Sequence, residues 1–170
     1  MMNFLKILVL GLAAAVLGGC GKKDVKLITF NVASMRGVET GLAYKNITMP
    51  FTGTRLIMNT DTVLYSGDIS DIYVAENPMP SGDKITGFYL VFNSNGTRKL
   101  TNITASNMGS YIVLSYAGEP IGLRIIDTII TDGRLFVCSE FSDPKRTIHK
   151  LVDEMRQSVS DVSEIKRDNM

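Results

Sequence analysis

The clearest pattern of apolar and polar positions lies near the end of the chain. Four apolar residues stand there at i, i+3, i+4 and i+7: Ile148, Leu151, Val152 and Met155. This spacing places their side chains on one face of an α-helix, and such a face packs against another layer. Asp143 is suited to cap the helix, since its carboxylate can accept backbone N–H bonds. Pro144 fits the first turn, because the N–H that it lacks would have no partner there. We predict a helix from Pro144 that lies on a sheet.

Runs rich in β-branched and aromatic residues predict strands before this helix. The runs cover residues 85–92, 110–116, 121–130 and 134–140. Asp132-Gly133 separates the last two, and it is the strongest hairpin signal in the chain.

A second helix is predicted between the first and second of these strands. Asn93 or Ser94 is suited to accept backbone N–H bonds at its start. Leu100 and Ile103 supply a modest apolar face. Gly109 suits the left-handed residue that follows a helix end.

The order of elements is strand, helix, three strands, helix. It predicts an α+β fold with an antiparallel or mixed sheet of about 4–6 strands and both helices on one face. We assign the parts of the chain as a lipoprotein leader at 1–19, a tether or edge strand at 20–45, the α+β domain at 46–158 and a polar C-terminal tail at 159–170.

The start of the chain has the pattern of an export signal. A short segment with one lysine, "MMNFLK", precedes the uncharged run "ILVLGLAAAV" from Ile7 to Val16. A bilayer core about 30 Å thick needs roughly 20 apolar residues of helix, so this run is short for a membrane span. It has the length of a signal-peptide core, which is removed from the mature protein.

The end of this run, Leu17-Gly18-Gly19-Cys20, resembles the lipobox of bacterial lipoproteins. The resemblance implies cleavage between Gly19 and Cys20 and acylation of the Cys20 thiol with diacylglycerol. An ordinary signal peptide with a cysteine nearby is the alternative interpretation. Gly21, rather than aspartate, follows the cysteine, which by resemblance to sorting rules favours the outer membrane over the inner one. We therefore expect a lipid-anchored protein of the bacterial cell envelope that faces the periplasm.

Charge excludes one class of partner. The chain has 18 Lys and Arg against 17 Asp and Glu, and 17 of each sign remain after residues 1–19. A nucleic-acid-binding domain normally shows a clustered basic excess. We expect no nucleic-acid partner.

Residues that carry catalysis or bind metals are scarce. His149 is the only histidine, and Cys138 is the only cysteine besides Cys20. Neither a zinc site nor a Cys-His pair is built from them, and Cys138 is interpreted as a small buried residue. No phosphate-binding glycine loop is present. Four aspartates are interpreted as solvated turn residues rather than calcium ligands: Asp61, Asp68, Asp71 and Asp83. We expect no catalytic residue, no cofactor and no metal.

Residues 64 to about 156 resemble the head subdomain of the first periplasmic domain of SecD, a subunit of the bacterial protein-export machinery. The matching motifs, in order, are Gly67-Asp68-Ile69-Ser70-Asp71, Gly96, Asn107-Met108-Gly109, Ala117-Gly118, Ile130-Thr131-Asp132-Gly133-Arg134 and Phe141-Ser142. Two places depart from the family pattern: Gly122-Leu123-Arg124, where the family has Ser-Ala-Pro, and Glu140, where it has glycine.

The resemblance, the expected lipid tether and the scarcity of catalytic groups together favour a function in binding rather than catalysis. This chain has none of SecD's membrane helices, so it resembles the extramembrane head held by a lipid. The first hypothesis is a non-enzymatic envelope lipoprotein that offers its sheet face or edge to a polypeptide or a membrane complex, linked to protein export. The alternatives are a structural or self-associating lipoprotein with no role in export, and an unrecognised envelope hydrolase. The expected partners are membrane lipid through Cys20 and a protein.

Overall fold

The structure is a computed structural model, and it describes residues 25–35, 43–79, 81–140 and 144–168. The predicted cleavage site at Gly19 and Cys20, the proposed cap Asp143 and the motif Phe141-Ser142 lie outside these ranges.

The described chain contains a large antiparallel sheet. Its strands are β1 (Ile28–Ser34), β2 (Tyr44–Thr48), β3 (Arg55–Asn59), β4 (Leu64–Tyr65), β5 (Ile69–Pro78), β6 (Lys84–Phe92), β7 (Tyr111–Tyr116), β8 (Glu119–Ile125) and β9 (Arg134–Ser139). The described chain also contains two α-helices, α1 (Ser94–Ser106) and α2 (Pro144–Asp168), and a 3-10 helix (Ser66–Asp68). The α+β class is confirmed, but the sheet has 9 strands and is larger than predicted.

The strands are ordered β2-β3-β1-β7-β8-β9-β6-β5, and β4 also pairs with β1. β1 therefore lies inside the sheet, where the sequence favoured a tether or an edge strand for residues 20–45. Its position follows from burial, because Ile28 and Phe30 are fully buried in the main core. Polar Asn31 interrupts the apolar run, so the sequence did not distinguish an interior strand from an edge strand.

Both helices pack on one face of this sheet. Leu100 of α1 and Ile148, Val152 and Met155 of α2 share one apolar core with strand residues such as Phe88. The stripe predicted for the last helix is thus confirmed. A smaller cluster of Ala33, Met49, Leu56 and Val113 lies on the opposite face, where the β2–β3 hairpin covers it.

The first helix begins as its sequence predicts. The Asn93 side chain accepts hydrogen bonds from the N–H groups of Asn95 and Gly96, at 3.1 and 3.0 Å. Gly109 follows the helix with a φ of +81°, a conformation that glycine adopts without steric cost.

The second helix is longer than predicted. Residues 159–168, assigned to a polar tail, continue α2 to Asp168. Val162 extends the apolar stripe and is buried. Lys166 and Arg167 stand in the last turn, where positive charge is favourable beside the carbonyl end of the helix dipole.

The tight hairpin lies at Ala117-Gly118 and not at Asp132-Gly133. Both Ala117 and Gly118 have positive φ, +52° and +85°, as a two-residue turn between twisted strands requires. β8 and β9 are antiparallel neighbours, but residues 126–133 connect them as a longer loop.

The interpretation of the four aspartates as solvated turn residues is wrong for Asp68. Its side chain is fully buried, and both of its carboxylate oxygens accept hydrogen bonds from Lys99 Nζ, at 3.0 and 2.9 Å. Asn95 Nδ2 donates to the same carboxylate at 2.9 Å, and the N–H of Tyr65 donates to it at 3.3 Å. Asp68 thus joins the 3-10 helix to the start of α1.

Candidate functional site

The two helices pack on one face of the sheet. The opposite face, over β5, β6 and β9, is not covered by any other described helix or strand. Cross-strand register places Tyr73 opposite Tyr89, and Tyr89 opposite Phe136. The rings of Tyr73 and Tyr89 are stacked with centroids 4.9 Å apart. Tyr73 is 37% exposed, and the other two are half-buried. We call these three residues the aromatic row.

Gly87 allows the row to lie flat on the sheet. A Cβ atom at this position would meet the ring of Phe136 at 2.7 Å and the backbone of Val137 more closely still. The glycine therefore provides space for the ring, as is common where a strand must accept a close neighbour.

A groove of about 510 Å³ adjoins one end of the row, where β8 and β9 separate. Tyr89 and Phe136 line it together with Arg124, Arg134 and the exposed residue Ile129. The Arg124 guanidinium pairs with the Asp127 carboxylate at 2.8 Å. The row and the groove form one surface on which aromatic rings lie beside polar and charged groups, among them Arg124, Arg134 and Asp132. Surfaces of this composition are typical of protein recognition sites.

The same region ends in a long edge strand. β5 has 10 residues and, in the described part of the chain, pairs on one side only, with β6. Asp71 and Glu76 are its charged residues; Asp71 faces Arg156 of α2 at 3.6 Å, and Glu76 pairs with Lys84 at 3.1 Å. Between them lies an uncharged segment from Ile72 to Ala75. An edge of this kind exposes backbone groups that can pair with another extended chain.

Glu140 limits the uncovered face on its far side. Its buried carboxylate accepts hydrogen bonds from the N–H groups of Phe51 and Thr52, at 3.3 and 2.9 Å, and from the Thr52 hydroxyl at 3.1 Å. These residues lie beyond β2 at the tip of the β2–β3 hairpin. The carboxylate that departs from the SecD pattern thus anchors the hairpin over the smaller core.

We expect Glu140→Ala to release the hairpin tip while the rest of the fold persists. The loss of these bonds should lower the free energy of unfolding by about 1–2 kcal/mol. Hydrogen exchange at the Phe51 and Thr52 amides should accelerate, and exchange in β6 should not. Unchanged protection of the two amides would show that Glu140 does not hold the tip.

Cys138 lies half-buried on β9 as a free thiol. Burial, the largest cause, raises the pKa of the Cys138 thiol above its ordinary value. The positive charge of Arg124 opposes this shift, and the negative charge of Glu140 adds to it. Since the thiolate is the reactive form, these surroundings suit a structural residue and not a nucleophile.

We expect the native Cys138 thiol to react with iodoacetamide several-fold more slowly at pH 8 than the same thiol in urea. The raised pKa keeps it protonated, so the difference should narrow as the pH rises through the native pKa. Because the fold binds this proton more tightly than the unfolded chain does, stability should fall over the same alkaline range. Mass spectrometry of the Cys138 peptide measures both rates, and equal rates would contradict this account.

The other residues considered in the sequence as candidate site residues do not form a catalytic or metal site in the described part of the chain. Cys20 lies outside the described residues, and His149 is exposed on α2. Among the residues that the structure describes, no three His, Cys, Asp or Glu side chains converge on a possible metal site. Within the same residues, no helix has the length and apolar character needed to cross a membrane.

The aromatic row was missed in the sequence because cross-strand register creates it. Tyr73, Tyr89 and Phe136 are far apart in the chain and belong to three strands. The one local signal was the alternation in "ITGFYLVF", where Phe88 and Leu90 point to the core and Tyr89 to the other face.

Comparison of the sequence with known protein families and with curated proteins finds no match. Solved structures do match the fold. A structure of the membrane component SecDF, described as enhancing protein export, matches with a TM-score of 0.50 and 14% identity, over 79% of this chain and 61% of that one. A crystal structure of SecDF in a super-membrane-facing form gives the same TM-score and identity over 18% of its chain. This chain thus spans less than two thirds of the SecDF chains, and it has a SecD-like fold.

Proposed function

We propose that this protein is a non-enzymatic lipoprotein of the bacterial cell envelope that binds extended polypeptides on its uncovered sheet face. Acylated Cys20 would hold it to the membrane, and the outer membrane is favoured because Gly21 follows that cysteine. Several acyl chains on one residue give stable anchoring, since each buried CH₂ contributes about 0.8 kcal/mol.

The aromatic row carries the binding proposal. Tyr73 is stacked on Tyr89 at 4.9 Å and is 37% exposed, so its ring offers apolar surface that the described elements of the fold leave partly uncovered. Tyrosine gives a large contact area for little loss of side-chain entropy. The adjoining edge of β5 offers backbone hydrogen bonds to an extended chain, and the row offers contacts to its side chains.

The proposal includes a role in protein export. The SecD-like fold supports it, because the SecDF structures belong to a component that enhances export. A lipid at Cys20 would take the place of membrane helices and keep the binding face close to the bilayer.

Photocrosslinking in cells tests the binding surface. A benzoylphenylalanine residue at position 89 should crosslink to polypeptides of the envelope. The same residue at position 98, on the exposed side of α1, is the matched control and should crosslink far less. Equal yields at the two positions, or none at position 89, would overturn the proposed surface.

The lipid anchor has its own test. Mass spectrometry of the N-terminal peptide from membrane-purified protein should show a mature chain that begins at Cys20 with acyl mass on it. Cys20→Ser should leave the protein unacylated and release it from the membrane fraction. A wild-type chain that is cleaved at another position, or that carries no acyl group on Cys20, would refute the lipid anchor. Neither result would bear on the proposed binding face.

A further inference from the structure

The aromatic row does not end at the groove, because the register of the sheet continues it on the same face. Tyr111 of β7 lies opposite Ile125 of β8, and residues directly opposite one another project to the same face. The Tyr111 hydroxyl donates to Met35 Sδ at 3.5 Å. Tyr111 also packs against the smaller core. These three residues therefore lie on the face that the helices do not cover.

The groove lies between this second group and the aromatic row. The last pair that joins β8 to β9 is Leu123 with Cys138. Two residues further along the same register, Ile125 would oppose Phe136, but the strands have separated there and the groove takes the place of the pairing. The two groups thus form one line across the sheet, which we call the cross-sheet row. Its members, in order, are Met35, Tyr111, Ile125, Phe136, Tyr89 and Tyr73.

The cross-sheet row is accessible and long. Met35, Ile125 and Tyr73 are 55%, 44% and 37% exposed. The row reaches from the end of β1 across β7, β8, β9 and β6 to β5, and a strand spacing of about 4.8 Å gives it a length of about 24 Å. Since an extended chain rises about 3.3 Å per residue, a segment of about seven or eight residues would cover it.

Two guanidinium groups stand at the groove, in the middle of the row. Arg134 is exposed and belongs to none of the ion pairs that the described residues form. Arg124 pairs with Asp127 through Nη2 at 2.8 Å, while its Nε is buried and has no hydrogen-bond partner among the residues that the structure describes. The groove's own carboxylate, Asp132, accepts the backbone N–H of Arg134.

The unpartnered Nε of Arg124 indicates the chemistry of a ligand. Buried polar groups normally have a partner. Nε and Nη2 of a guanidinium lie side by side, and together they bind one carboxylate through two parallel hydrogen bonds. Asp127 uses only one of these positions, and its side chain is 55% exposed, so it can turn to water when another carboxylate approaches.

We propose that the cross-sheet row binds a segment of an extended polypeptide in which an acidic residue stands between apolar residues. The inference deepens the proposed function and rests on it. Apolar side chains of the segment pack on Ile125 at one side of the groove and on Phe136 at the other. The carboxylate enters the groove and accepts hydrogen bonds from Arg124 and Arg134. A basic residue at the same place would meet like charges, which disfavours it.

Fluorescence anisotropy of the purified full chain with labelled synthetic peptides tests the inference. The probe is an amidated peptide of about nine residues, matched to the length of the row, with leucine and serine alternating and glutamate at the centre. Matched peptides carry glutamine or lysine there. We expect the glutamate peptide to bind about tenfold tighter than the glutamine peptide, and the lysine peptide to bind most weakly. Arg134→Gln should remove most of the preference for glutamate, whereas Arg98→Gln, exposed on α1, should keep it.

A second pair of variants tests the continuation of the row beyond the groove. Ile125→Thr should weaken binding of the glutamate peptide several-fold, because it removes apolar contact on the β8 side of the groove. Leu27→Thr is the control. Leu27 is 43% exposed, nearly the same fraction as Ile125, but it lies beside the β7–β8 turn at the other end of the sheet. Its substitution should leave the affinity unchanged.

Each outcome decides the inference. Equal binding of the glutamate and glutamine peptides, or a preference that survives Arg134→Gln, would overturn it. Full binding by Ile125→Thr, or no binding of any peptide, would do the same. Crosslinking from position 89 decides the proposed function separately. Crosslinking that persists while the preference for glutamate fails would refute this inference alone, and a loss of both would refute the binding surface itself.

Discussion

Replacement of Asp68 by alanine is expected to lower the free energy of unfolding by about 3 kcal/mol, a large part of the total stability of a domain of this size. The carboxylate is fully buried and accepts hydrogen bonds from Lys99, Asn95 and the N–H of Tyr65. Its removal leaves these donors without their acceptor and frees the 3-10 helix from α1. Lys99 is 37% exposed and can turn to water, which keeps the cost below that of a fully buried pair.

Denaturant unfolding of Asp68→Ala measures this effect. Asp61→Ala is the matched control, because Asp61 is an exposed turn residue in the same part of the chain, and its change should stay within about 0.5 kcal/mol. Equal effects of the two substitutions would show that the buried Asp68 carboxylate does not stabilise the contact between the 3-10 helix and α1.

Gly96→Ala is expected to destabilise the fold by about 1–3 kcal/mol, although alanine is favoured over glycine by about 1 kcal/mol in an ordinary helix. Gly96 lies in the first turn of α1. A Cβ atom there would be 3.0 Å from the Asp68 Cβ and from the Phe92 ring, and closer still to the Asp68 carbonyl. Both neighbours belong to the buried framework, so the helix must shift. A loss of stability would show that Gly96 is needed for close packing of α1, whereas a gain would show that the position tolerates a side chain.

Thermal unfolding of Gly96→Ala supplies the measurement. Asn95→Ala removes one hydrogen bond to Asp68 without adding a contact, and it should have the smaller effect. A Gly96→Ala protein more stable than the wild type would contradict the close approach of α1 to Asp68.

The parts of the fold that the sequence predicts are those encoded locally. Asn93, Gly109 and the stripe from Ile148 to Met155 lie within a few residues of the partners that define them. The early strands are different. β5 directs Ile69, Ile72 and Val74 to the main core, but an irregularity between Ile69 and Asp71 shifts the register, so the sequence lacks the regular alternation that marks a strand.

The proposed binding surface is formed by residues that are distant in the sequence. The aromatic row needs the register of β5, β6 and β9. The burial of Asp68 has the same origin, because Lys99 approaches it only after α1 packs. Cys20, by contrast, was identified from a short continuous motif, and its acylation stays a prediction.

The central claim is that the uncovered sheet face binds extended polypeptides, and the affinity of the purified full chain for a permanently unfolded, carboxymethylated protein tests it most directly. We expect saturable binding that falls at least tenfold in Tyr73→Thr/Tyr89→Thr, since aromatic residues at the centre of an interface supply much of its energy. Tyr44→Thr is the control, because Tyr44 on β2 has the same exposed fraction as Tyr73, 37%, and its affinity should not change. Binding that survives the double substitution, or falls equally in the control, would contradict the account.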